Sequence, residues 1–389
     1  MNQIAALAAT LSPSLTLAID AKAKKLKAEG VDVCGFGAGE PDFDTPQHIK
    51  DAAANALAAG FTKYTPSSGI PELRAAIADK LQKENGLTYK PSQVIVNCGA
   101  KLSCFNVILA TCNPGDEVII PAPYWLSYPE MVKLAGATPV IVETSETNSF
   151  KLTPNQFRDA MTPATRMIIL NSPSNPTGSV YTKDELQALA EVALEEEILM
   201  LADEIYEKLV YDNTPFTSLA SLSQEIYDLT VTVNGFSKAF AMTGWRLGYI
   251  AAPEPIALAI DSLQSHSTSN PTSFAQKGAL AGLQGDQSFI GEMLKAFAER
   301  RDYMYQRLTG IAGITCVKPL GAFYMLPNIS HFGLGSAQFC ERLLNEQKVA
   351  CVPGIAFGSD AHIRLSYACS MENIQKGLDR LAAFCGSLK

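Results

Sequence analysis

The chain has 389 residues, of which 47% are hydrophobic and 18% charged, and this length predicts two folded domains rather than one simple core. Its net charge of −8 argues against nucleic acid or an anionic membrane surface as a partner. Nine scattered cysteines without a C-x-x-C pair, and only four histidines, favour reduced thiols over a disulfide framework or a metal site.

Residues 1–13 are predicted to form an N-terminal arm that ends at Pro13. The apolar run from Ile4 to Leu11 has no lysine or arginine before it, which is atypical of a secretory signal. No apolar stretch reaches the length of a membrane span. We therefore expect a cytoplasmic protein without a membrane partner.

A G-x-G-x-G run over residues 35–39 follows a predicted helix over 16–29 and a short predicted strand over 31–36. It is not a dinucleotide fingerprint, because that motif is spaced G-x-G-x-x-G and opens a helix, whereas Glu40 and Pro41 follow here. Glycines at these positions instead allow the backbone to approach a ligand or to turn tightly.

Strands and helices alternate between residues 46 and 252. Helices are predicted over 46–59, 71–84, 102–111 and 183–197, and strands over 94–96, 118–120, 140–142, 167–170, 198–202, 231–233 and 249–252. This alternation predicts an α/β fold with a mostly parallel sheet and helices on both faces. In such sheets ligands bind outside the carboxyl ends of the strands.

Several segments at these strand ends are candidate parts of a site. Residues 97–101 join a strand to the start of a helix, where free amides favour an anion. The turn over 171–178 is polar and rich in proline, which suits either a ligand site or a rigid turn. Asp203 ends an apolar run, and a desolvated carboxylate there needs a cationic partner. Trp125 either stacks on a planar ligand or packs in the core.

Lys238 follows the predicted strand over 231–233 and is flanked by apolar residues, so it is either a surface lysine in a strand-to-helix turn or a desolvated amine in a site. Such surroundings disfavour the ammonium form and lower the pKa of the amine, which makes it a nucleophile suited to Schiff bases. Ser237 beside it and Arg246 shortly after would suit a phosphate anchor.

The last third of the chain predicts a smaller α+β unit. Helices are predicted over 292–308, 336–346 and 371–384, and strands over 314–317, 323–326, 350–352 and 363–366. Arg364 lies within the last of these apolar strands. It either meets an anion or sits at the surface of an edge strand.

Seven stretches of the chain together resemble the class I aminotransferases that use pyridoxal phosphate, in particular the bacterial aspartate aminotransferase branch typified by Thermus. In order they are Gly37-Ala-Gly-Glu-Pro-Asp-Phe, Tyr64 with Gly69-Ile-Pro-Glu-Leu-Arg, Pro123-Tyr-Trp-Leu-Ser-Tyr-Pro-Glu-Met, Asn171-Ser-Pro-Ser-Asn-Pro-Thr-Gly, Asp203-Glu-Ile-Tyr, Ser237-Lys-Ala-Phe-Ala-Met-Thr-Gly-Trp-Arg-Leu-Gly and Ile363-Arg-Leu-Ser-Tyr-Ala. The resemblance runs nearly end to end and implies pyridoxal 5′-phosphate as cofactor.

The resemblance implies a role for each residue around the cofactor ring. Lys238 would hold the cofactor as a Schiff base and then carry the proton between the substrate Cα and the cofactor. Asp203 would pair with the pyridinium nitrogen and keep it protonated. Asn175 and Tyr206 would bind the phenolic oxygen, and Trp125 would stack on the ring.

The resemblance also implies the phosphate site. The backbone of Gly99, Ala100 and Lys101 would bind the phosphate together with Ser237 and Arg246.

Two further implied roles concern the neighbouring subunit and the substrate. Tyr64 would reach the phosphate of the other subunit, which makes the active unit a homodimer with shared sites. Arg364 would clamp the α-carboxylate of the substrate, helped by Asn175 and the backbone of Gly39.

The fold that the resemblance implies is the pyridoxal-phosphate-dependent transferase fold. A large α/β domain with a mainly parallel, seven-stranded sheet carries the cofactor, and a smaller α+β domain built from both chain ends closes over the substrate. The boundaries expected are an arm over 1–13, a large domain over 46–290, and a small domain formed by 14–45 and 291–389. Cis peptide bonds are expected before Pro123 and Pro176.

The substrate implied is a dicarboxylic amino acid. Lys101, Ser14 and Thr16 match the positions thought to bind the distal carboxylate in this branch, although Lys101 alone would read as a solvated lysine at a helix start. Residues 265–270 carry no arginine of the kind that other branches take from the partner subunit. The reaction expected is transfer from L-aspartate to 2-oxoglutarate, giving oxaloacetate and L-glutamate by a ping-pong route through pyridoxamine phosphate.

Other functions are compatible with part of these features. The same cofactor could serve a prephenate aminotransferase that forms arogenate, or an enzyme for aromatic amino acids or alanine, alone or as a second activity. A cofactor-binding transcription regulator on this fold would need an added DNA-binding module and a basic patch, and the chain offers neither. The presence of Lys238, Asp203 and Arg364 disfavours a catalytically silent scaffold.

Overall fold

The computed structural model describes residues 4, 5, 9 and 15–388, without the side chains of residues 15–17 and 20. Most of the predicted arm over 1–13, Ser14 and the side chain of Thr16 therefore lie outside the described part. The helices of the described part are α1 (Leu15–Ala28), α2 (Gln47–Ala58), α3 (Pro71–Asn85), α4 (Ala100–Thr111), α5 (Ser127–Leu134), α6 (Pro154–Ala160), α7 (Lys183–Glu195), α8 (Gln224–Asp228), α9 (Glu254–Ser267), α10 (Ser273–Gln284), α11 (Ser288–Thr309), α12 (Ser336–Gln347) and α13 (Met371–Ser387). The strands are β1 (Cys34–Gly35), β2 (Val94–Asn97), β3 (Glu117–Ala122), β4 (Thr138–Glu143), β5 (Thr165–Asn171), β6 (Leu199–Asp203), β7 (Thr230–Gly235), β8 (Gly248–Ala251), β9 (Tyr324–Met325), β10 (Val349–Ala350), β11 (Val352–Pro353) and β12 (Ile363–Ser366).

The central sheet has seven strands in the order β2-β8-β7-β6-β5-β3-β4. Strands β3 to β7 all run parallel to one another, whereas β8 runs antiparallel to both of its neighbours, β2 and β7. The strands are apolar along most of their length because both faces of a parallel sheet are covered by helices. This sheet confirms the prediction of a mainly parallel, seven-stranded α/β fold.

The two faces of the sheet receive alternate side chains of each strand. On one face Ile95, Ile120 and Ile169 pack against α4, α5 and α9. On the other face Ile168 and Met200 pack against α6 and α7, and helices α2, α3 and α10 cover the side near β2 and β8. The molecule therefore has three layers here, and the strand ends remain open at one edge.

The last third of the chain forms a second core together with a piece from the N-terminal side. Strand β1 pairs in parallel with β10, with Cys34 opposite Val349. Phe36 then packs in the same cluster as Phe339 of α12 and Phe384 of α13. Strands β11, β12 and β9 form an antiparallel sheet with β12 in the middle. The domain boundaries given above stay predictions, but this shared core is the arrangement that they anticipate.

The structure differs from the predicted elements in several places, and the short helices α5, α6 and α8 are among the elements that were not predicted. The span over 253–290, for which no element was predicted, forms α9 and α10. No strand forms over 314–317, where Thr315 makes one isolated bridge to Asn328. The predicted strand over 350–352 is split into β10 and β11, because each short strand pairs with a different partner.

Other expectations concern the cysteines, the cis bonds and the membrane. All nine cysteines are free thiols. The peptide bonds before Pro123 and Pro176 are cis, as predicted, and so is the one before Pro173, which was not predicted. Among the described helices, none has the length and apolar character needed to cross a membrane.

Candidate active site

A cavity of about 490 Å³ opens at the carboxyl ends of the central strands, between the seven-stranded sheet and the three-stranded sheet. Eleven of the residues predicted for the site line it. They are Gly39, Ala100, Lys101, Trp125, Asn175, Asp203, Tyr206, Ser237, Lys238, Arg246 and Arg364. The structure therefore brings together residues that are spread over most of the chain.

Lys238 lies just beyond the end of β7, with the buried side chains of Phe236, Ala239 and Phe240 around it in sequence. Its Nζ donates a hydrogen bond to the Gly39 carbonyl and lies 5.5 Å from the centre of the Tyr206 ring. Burial lowers the pKa of the Lys238 amine to about 8, helped by the Arg364 charge and opposed by acidic groups. About a tenth of this amine is thus unprotonated at pH 7, far more than of an ordinary lysine, and the apolar flanking residues predicted this direction.

Asp203 ends β6 and is buried in the floor of the cavity. Its Oδ2 accepts hydrogen bonds from the Tyr128 hydroxyl at 2.7 Å and the Cys104 thiol at 3.7 Å. The backbone N–H of Ile205 donates to Oδ1 at 3.2 Å. Burial raises the pKa of the Asp203 carboxyl, and these donors oppose the rise. A cationic group in the cavity would relieve this desolvated carboxylate.

Tyr128 and Cys104 are site residues that sequence reasoning missed. Tyr128 lies three residues after Trp125, at the second position of α5, and Cys104 lies on the inner side of α4. The aromatic spacing gave no sign of a hydroxyl aimed at Asp203, since that contact spans 75 positions of sequence.

The turn before α4 has the form of an anion cradle. Gly99 is the N-cap of α4 with φ of 91°, a conformation that glycine adopts without strain. A Cβ atom on Gly99 would overlap the Arg246 guanidinium, and one on Gly248 would overlap the Ala100 amide. The first N–H groups of a helix lack partners within the helix and point out from its N-terminus. Together with the buried Ser237 and with Arg246, they make a compact set of donors.

Arg364 is buried on β12, which is the middle strand of the three-stranded sheet and not an edge strand. The alternative of a surface arginine on an edge strand is therefore wrong. Its Nη1 donates to Asn175 Oδ1 at 3.0 Å and its Nη2 to the Gly37 carbonyl at 2.9 Å. The guanidinium carbon also lies 4.4 Å from the centre of the Tyr324 ring.

The Arg364 guanidinium keeps one donor available. Its Nε is buried and has no hydrogen-bond partner among the described residues. Burial lowers the pKa of Arg364, because neither neutral hydrogen-bond acceptor offsets the desolvated charge. A buried cation with a spare donor, facing a cavity, suits a carboxylate.

Lys101 and Trp125 lie together on the wall of the cavity. Lys101 Nζ is 5.0 Å from the centre of the Trp125 ring, and burial followed by the nearby Arg246 charge lowers the pKa of Lys101. Trp125 is half-buried and meets Tyr128 edge to face, with 5.2 Å between ring centres. The indole therefore borders the cavity and is not a core residue, so the structure favours the ligand-stacking alternative over core packing.

Tyr206 is buried, and its hydroxyl pairs with the Tyr324 hydroxyl at 2.9 Å. Burial raises the pKa of Tyr206 well above its usual value. Tyr324, on β9, also lines the cavity and was missed in the sequence, because nothing in its short strand marks it as a site residue.

Two other predicted residues that the structure describes, Gly99 in the turn before α4 and Tyr64, are not among those that line the cavity. Tyr64 is 91% exposed on the loop before α3. Ser14 and the Thr16 side chain lie outside the described residues. The described residues also contain no group of three or more histidine, cysteine or acidic side chains that could hold a metal ion.

These features fit pyridoxal phosphate by the chemistry of their donor set. The Gly99 turn and Arg246 form a cradle for a phosphate, Asp203 offers a buried acceptor for a protonated ring nitrogen, and the Lys238 amine has a lowered pKa. Arg364 adds a buried cation with an unpaired N–H.

The fold and this set of residues define an aminotransferase, and the comparisons agree. The family described as "Aminotransferase class I and II" matches residues 31–381, and the chain belongs to it. Aminotransferases of this class depend on pyridoxal phosphate, so the cofactor prediction is confirmed.

Named relatives show which members of this family the chain resembles. The aspartate aminotransferase of Geobacillus stearothermophilus is 51% identical over 381 residues, which cover 97% of each chain. The aspartate/prephenate aminotransferase of Cereibacter sphaeroides is 49% identical over 391 aligned positions, which cover 98% of each chain. The structure of the aspartate aminotransferase from Thermus thermophilus with maleate superposes with a TM-score of 0.95 at 45% identity, over 98% of this chain and all of the other.

Proposed function

We propose that the chain transfers the amino group of L-aspartate to 2-oxoglutarate, giving oxaloacetate and L-glutamate. The observation that carries this proposal is the charge of the cavity. Among the described residues, five basic side chains line it, Lys24, Lys101, Lys238, Arg246 and Arg364, against the acidic Glu40 and Asp203. A phosphate accounts for Arg246 and one carboxylate for Arg364, and a second carboxylate on the substrate gives Lys101 an anion as well.

Each cavity residue has a proposed task. When bound, pyridoxal phosphate supplies an electron sink for the negative charge that develops at the substrate Cα. Lys238 moves the proton at Cα, a task that suits an amine whose pKa is near the working pH. Asp203 holds the proton on the ring nitrogen, and Asn175 and Tyr206 bind the phenolic oxygen.

The phosphate and the ring face have their own residues. The backbone of Gly99, Ala100 and Lys101 binds the phosphate together with Ser237 and Arg246, and Trp125 stacks on the ring. Arg364 orients the α-carboxylate with Asn175 and the Gly39 backbone. Ser14 and Thr16 are proposed to join Lys101 at the distal carboxylate.

The active unit is proposed to be a homodimer in the cytoplasm. Tyr64 is 91% exposed although it is a large aromatic residue, which suits a side chain that reaches the phosphate of a partner subunit. The names of the relatives and the dicarboxylate maleate in the Thermus structure also support the assignment of substrate.

Prephenate is the second candidate for amino acceptor. It is favoured by full-length relatives named aspartate/prephenate aminotransferase, such as the one from Cereibacter sphaeroides. Prephenate also carries two carboxylates, so the same pair of cations could bind it. Aromatic amino acids and alanine would leave Lys101 without an anionic partner and are disfavoured.

The test is the visible absorption spectrum of the purified protein before and after addition of L-aspartate without an acceptor. Loss of the bound-cofactor band and growth of the pyridoxamine band is expected, followed by reversal with 2-oxoglutarate or with prephenate. A band that aspartate leaves unchanged would reject aspartate as substrate.

The Lys101→Ala variant is expected to raise KM for aspartate at least tenfold, and unchanged KM would reject Lys101 as the distal-carboxylate residue.

A further inference from the structure

Glu146 joins the central sheet to the sheet that carries Arg364. It lies in the turn after β4, which is the edge strand of the seven-stranded sheet. Its Oε1 binds His362 Nε2 at 2.8 Å and accepts a hydrogen bond from Asn328 Nδ2, and its Oε2 accepts one from Thr315 Oγ1 at 3.2 Å. One carboxylate thus binds three residues from the last third of the chain.

His362 stands two residues before Arg364, directly at the start of β12. The imidazole is buried, with its Nδ1 2.7 Å from the Ser359 hydroxyl and its ring edge to face with Phe150, 5.3 Å between centres. Its backbone carbonyl accepts from the Gly354 N–H at 2.8 Å. Contacts on every side therefore fix this residue and the strand that follows it.

The loop after β3 contacts the same segment. The Tyr124 N–H donates to the Phe357 carbonyl at 3.1 Å. The Phe357 ring centre lies 4.9 Å from the Arg364 guanidinium carbon. Contacts from the central sheet thus hold residues 354–362 at two points, His362 and Phe357. His362 is two residues from Arg364 in the chain, and the Phe357 ring contacts its guanidinium.

We propose that Glu146 and His362 are positioning residues for Arg364. The proposal rests on the proposed function, in which Arg364 binds the α-carboxylate of the substrate. A carboxylate clamp works only when its donors are held within a fraction of an ångström of the bound position. Loosening the contact between Glu146 and His362 weakens substrate binding in the ground state and the transition state alike. KM then rises while kcat changes little.

Substitutions at Glu146 separate the hydrogen bonds from the charge. Glu146→Ala removes all three bonds and leaves Nε2 of the buried His362 and the amide of the partly buried Asn328 without this partner. Glu146→Gln can keep them, because the amide oxygen can replace Oε1 and the amide N–H can donate to the Thr315 hydroxyl. Glu185→Ala is the matched control, since Glu185 is also a partly exposed carboxylate, and it pairs with Lys151 away from Arg364.

The experiment measures KM, kcat and the melting temperature of the holoenzyme variants with the amino acid that the wild type converts best. Glu146→Ala is expected to raise KM for that amino acid at least fivefold, with kcat within twofold and a normal bound-cofactor spectrum. Glu146→Gln is expected to stay within twofold of the wild type in KM, and Glu185→Ala to leave KM unchanged.

Three results would overturn the proposal: an unchanged KM in Glu146→Ala, an equal rise in Glu185→Ala, or no rescue by Glu146→Gln. If Glu146→Ala does not fold, His362→Phe replaces it, because the ring against Phe150 is kept and the bond to Glu146 is lost. All amino acids share the α-carboxylate, so the test holds whichever of them is the substrate. A wild type that does not convert aspartate would reject the proposed substrate. The positioning of Arg364 would still be tested by the KM values for the amino acid that the wild type does convert.

Discussion

Lys238 should destabilise the cofactor-free protein at neutral pH, and Lys238→Met should remove that cost. Its pKa falls from 10.5 to about 8 on folding because the ammonium is buried and lies near Arg364. At 1.36 kcal/mol for each tenfold change in proton affinity, this amounts to at most about 3 kcal/mol near pH 7. The variant also loses the hydrogen bond from Lys238 to the Gly39 carbonyl, worth about 1 kcal/mol, so a net gain of about 2 kcal/mol is expected.

The direction of the pH dependence follows from the lowered pKa. Above pH 10.5 the Lys238 amine is neutral in both the folded and the unfolded protein, so it does not reduce the free energy of unfolding. As the pH falls from 10.5 through about 8, the unfolded protein binds the proton more strongly than the folded protein does, and the free energy of unfolding decreases. The advantage of Lys238→Met over the wild type should therefore shrink by about 2 kcal/mol between pH 7 and pH 10. Urea unfolding of both cofactor-free proteins at equal concentration across this range measures it. A wild type that is the more stable protein at pH 7, or a difference that does not change with pH, would refute the reasoning.

Two further substitutions test the ring and phosphate sites. Tyr128→Phe removes the 2.7 Å hydrogen bond to Asp203 and should lower the free energy of unfolding of the cofactor-free protein by about 1–3 kcal/mol. Urea unfolding at pH 7 measures this change, and an unchanged free energy of unfolding would contradict the role of the bond. Gly99→Ala places a methyl group against the Arg246 guanidinium at φ of 91° and should weaken cofactor binding at least tenfold in an absorbance titration. Gly86→Ala is its control, because Gly86 has φ of 70° and no atom near the added methyl, and equal affinities in the two variants would contradict the cradle.

The central sheet was predictable because each of its strands is a short apolar run followed by a turn or a helix start. The same feature located much of the site, since Asp203 and the turn after Asn171 stand at strand ends where a parallel sheet binds its ligands. Apolar neighbours predicted the lowered pKa of Lys238, and the sequence likewise placed Arg364 on an apolar strand. Local chemistry in the sequence was sufficient for each of these.

Features that depend on contacts between distant segments were not predictable from local pattern. The strands after residue 310 are only two to four residues long, and each pair of them matches at two positions. Such short pairings leave little pattern in the sequence, so the expected strand over 314–317 was wrong and Arg364 could not be placed in a middle strand in advance. Tyr128 and Tyr324 are ordinary aromatic residues in sequence, and only the fold brings their hydroxyls to Asp203 and Tyr206.

The residues of the site come from both sheets. Asp203 ends β6 of the seven-stranded sheet and Lys238 follows its strand β7, whereas Arg364 belongs to the three-stranded sheet. Hydrogen bonds join the two sides of the cavity, among them those from Lys238 to the Gly39 carbonyl and from Arg364 to Asn175. A ligand that engages the Lys238 amine or the Arg364 guanidinium must compete with these bonds or add to them. Occupancy of the site is therefore coupled to the relative position of the sheets, and substitutions that shift one sheet against the other should change substrate affinity before they change the chemistry at Lys238.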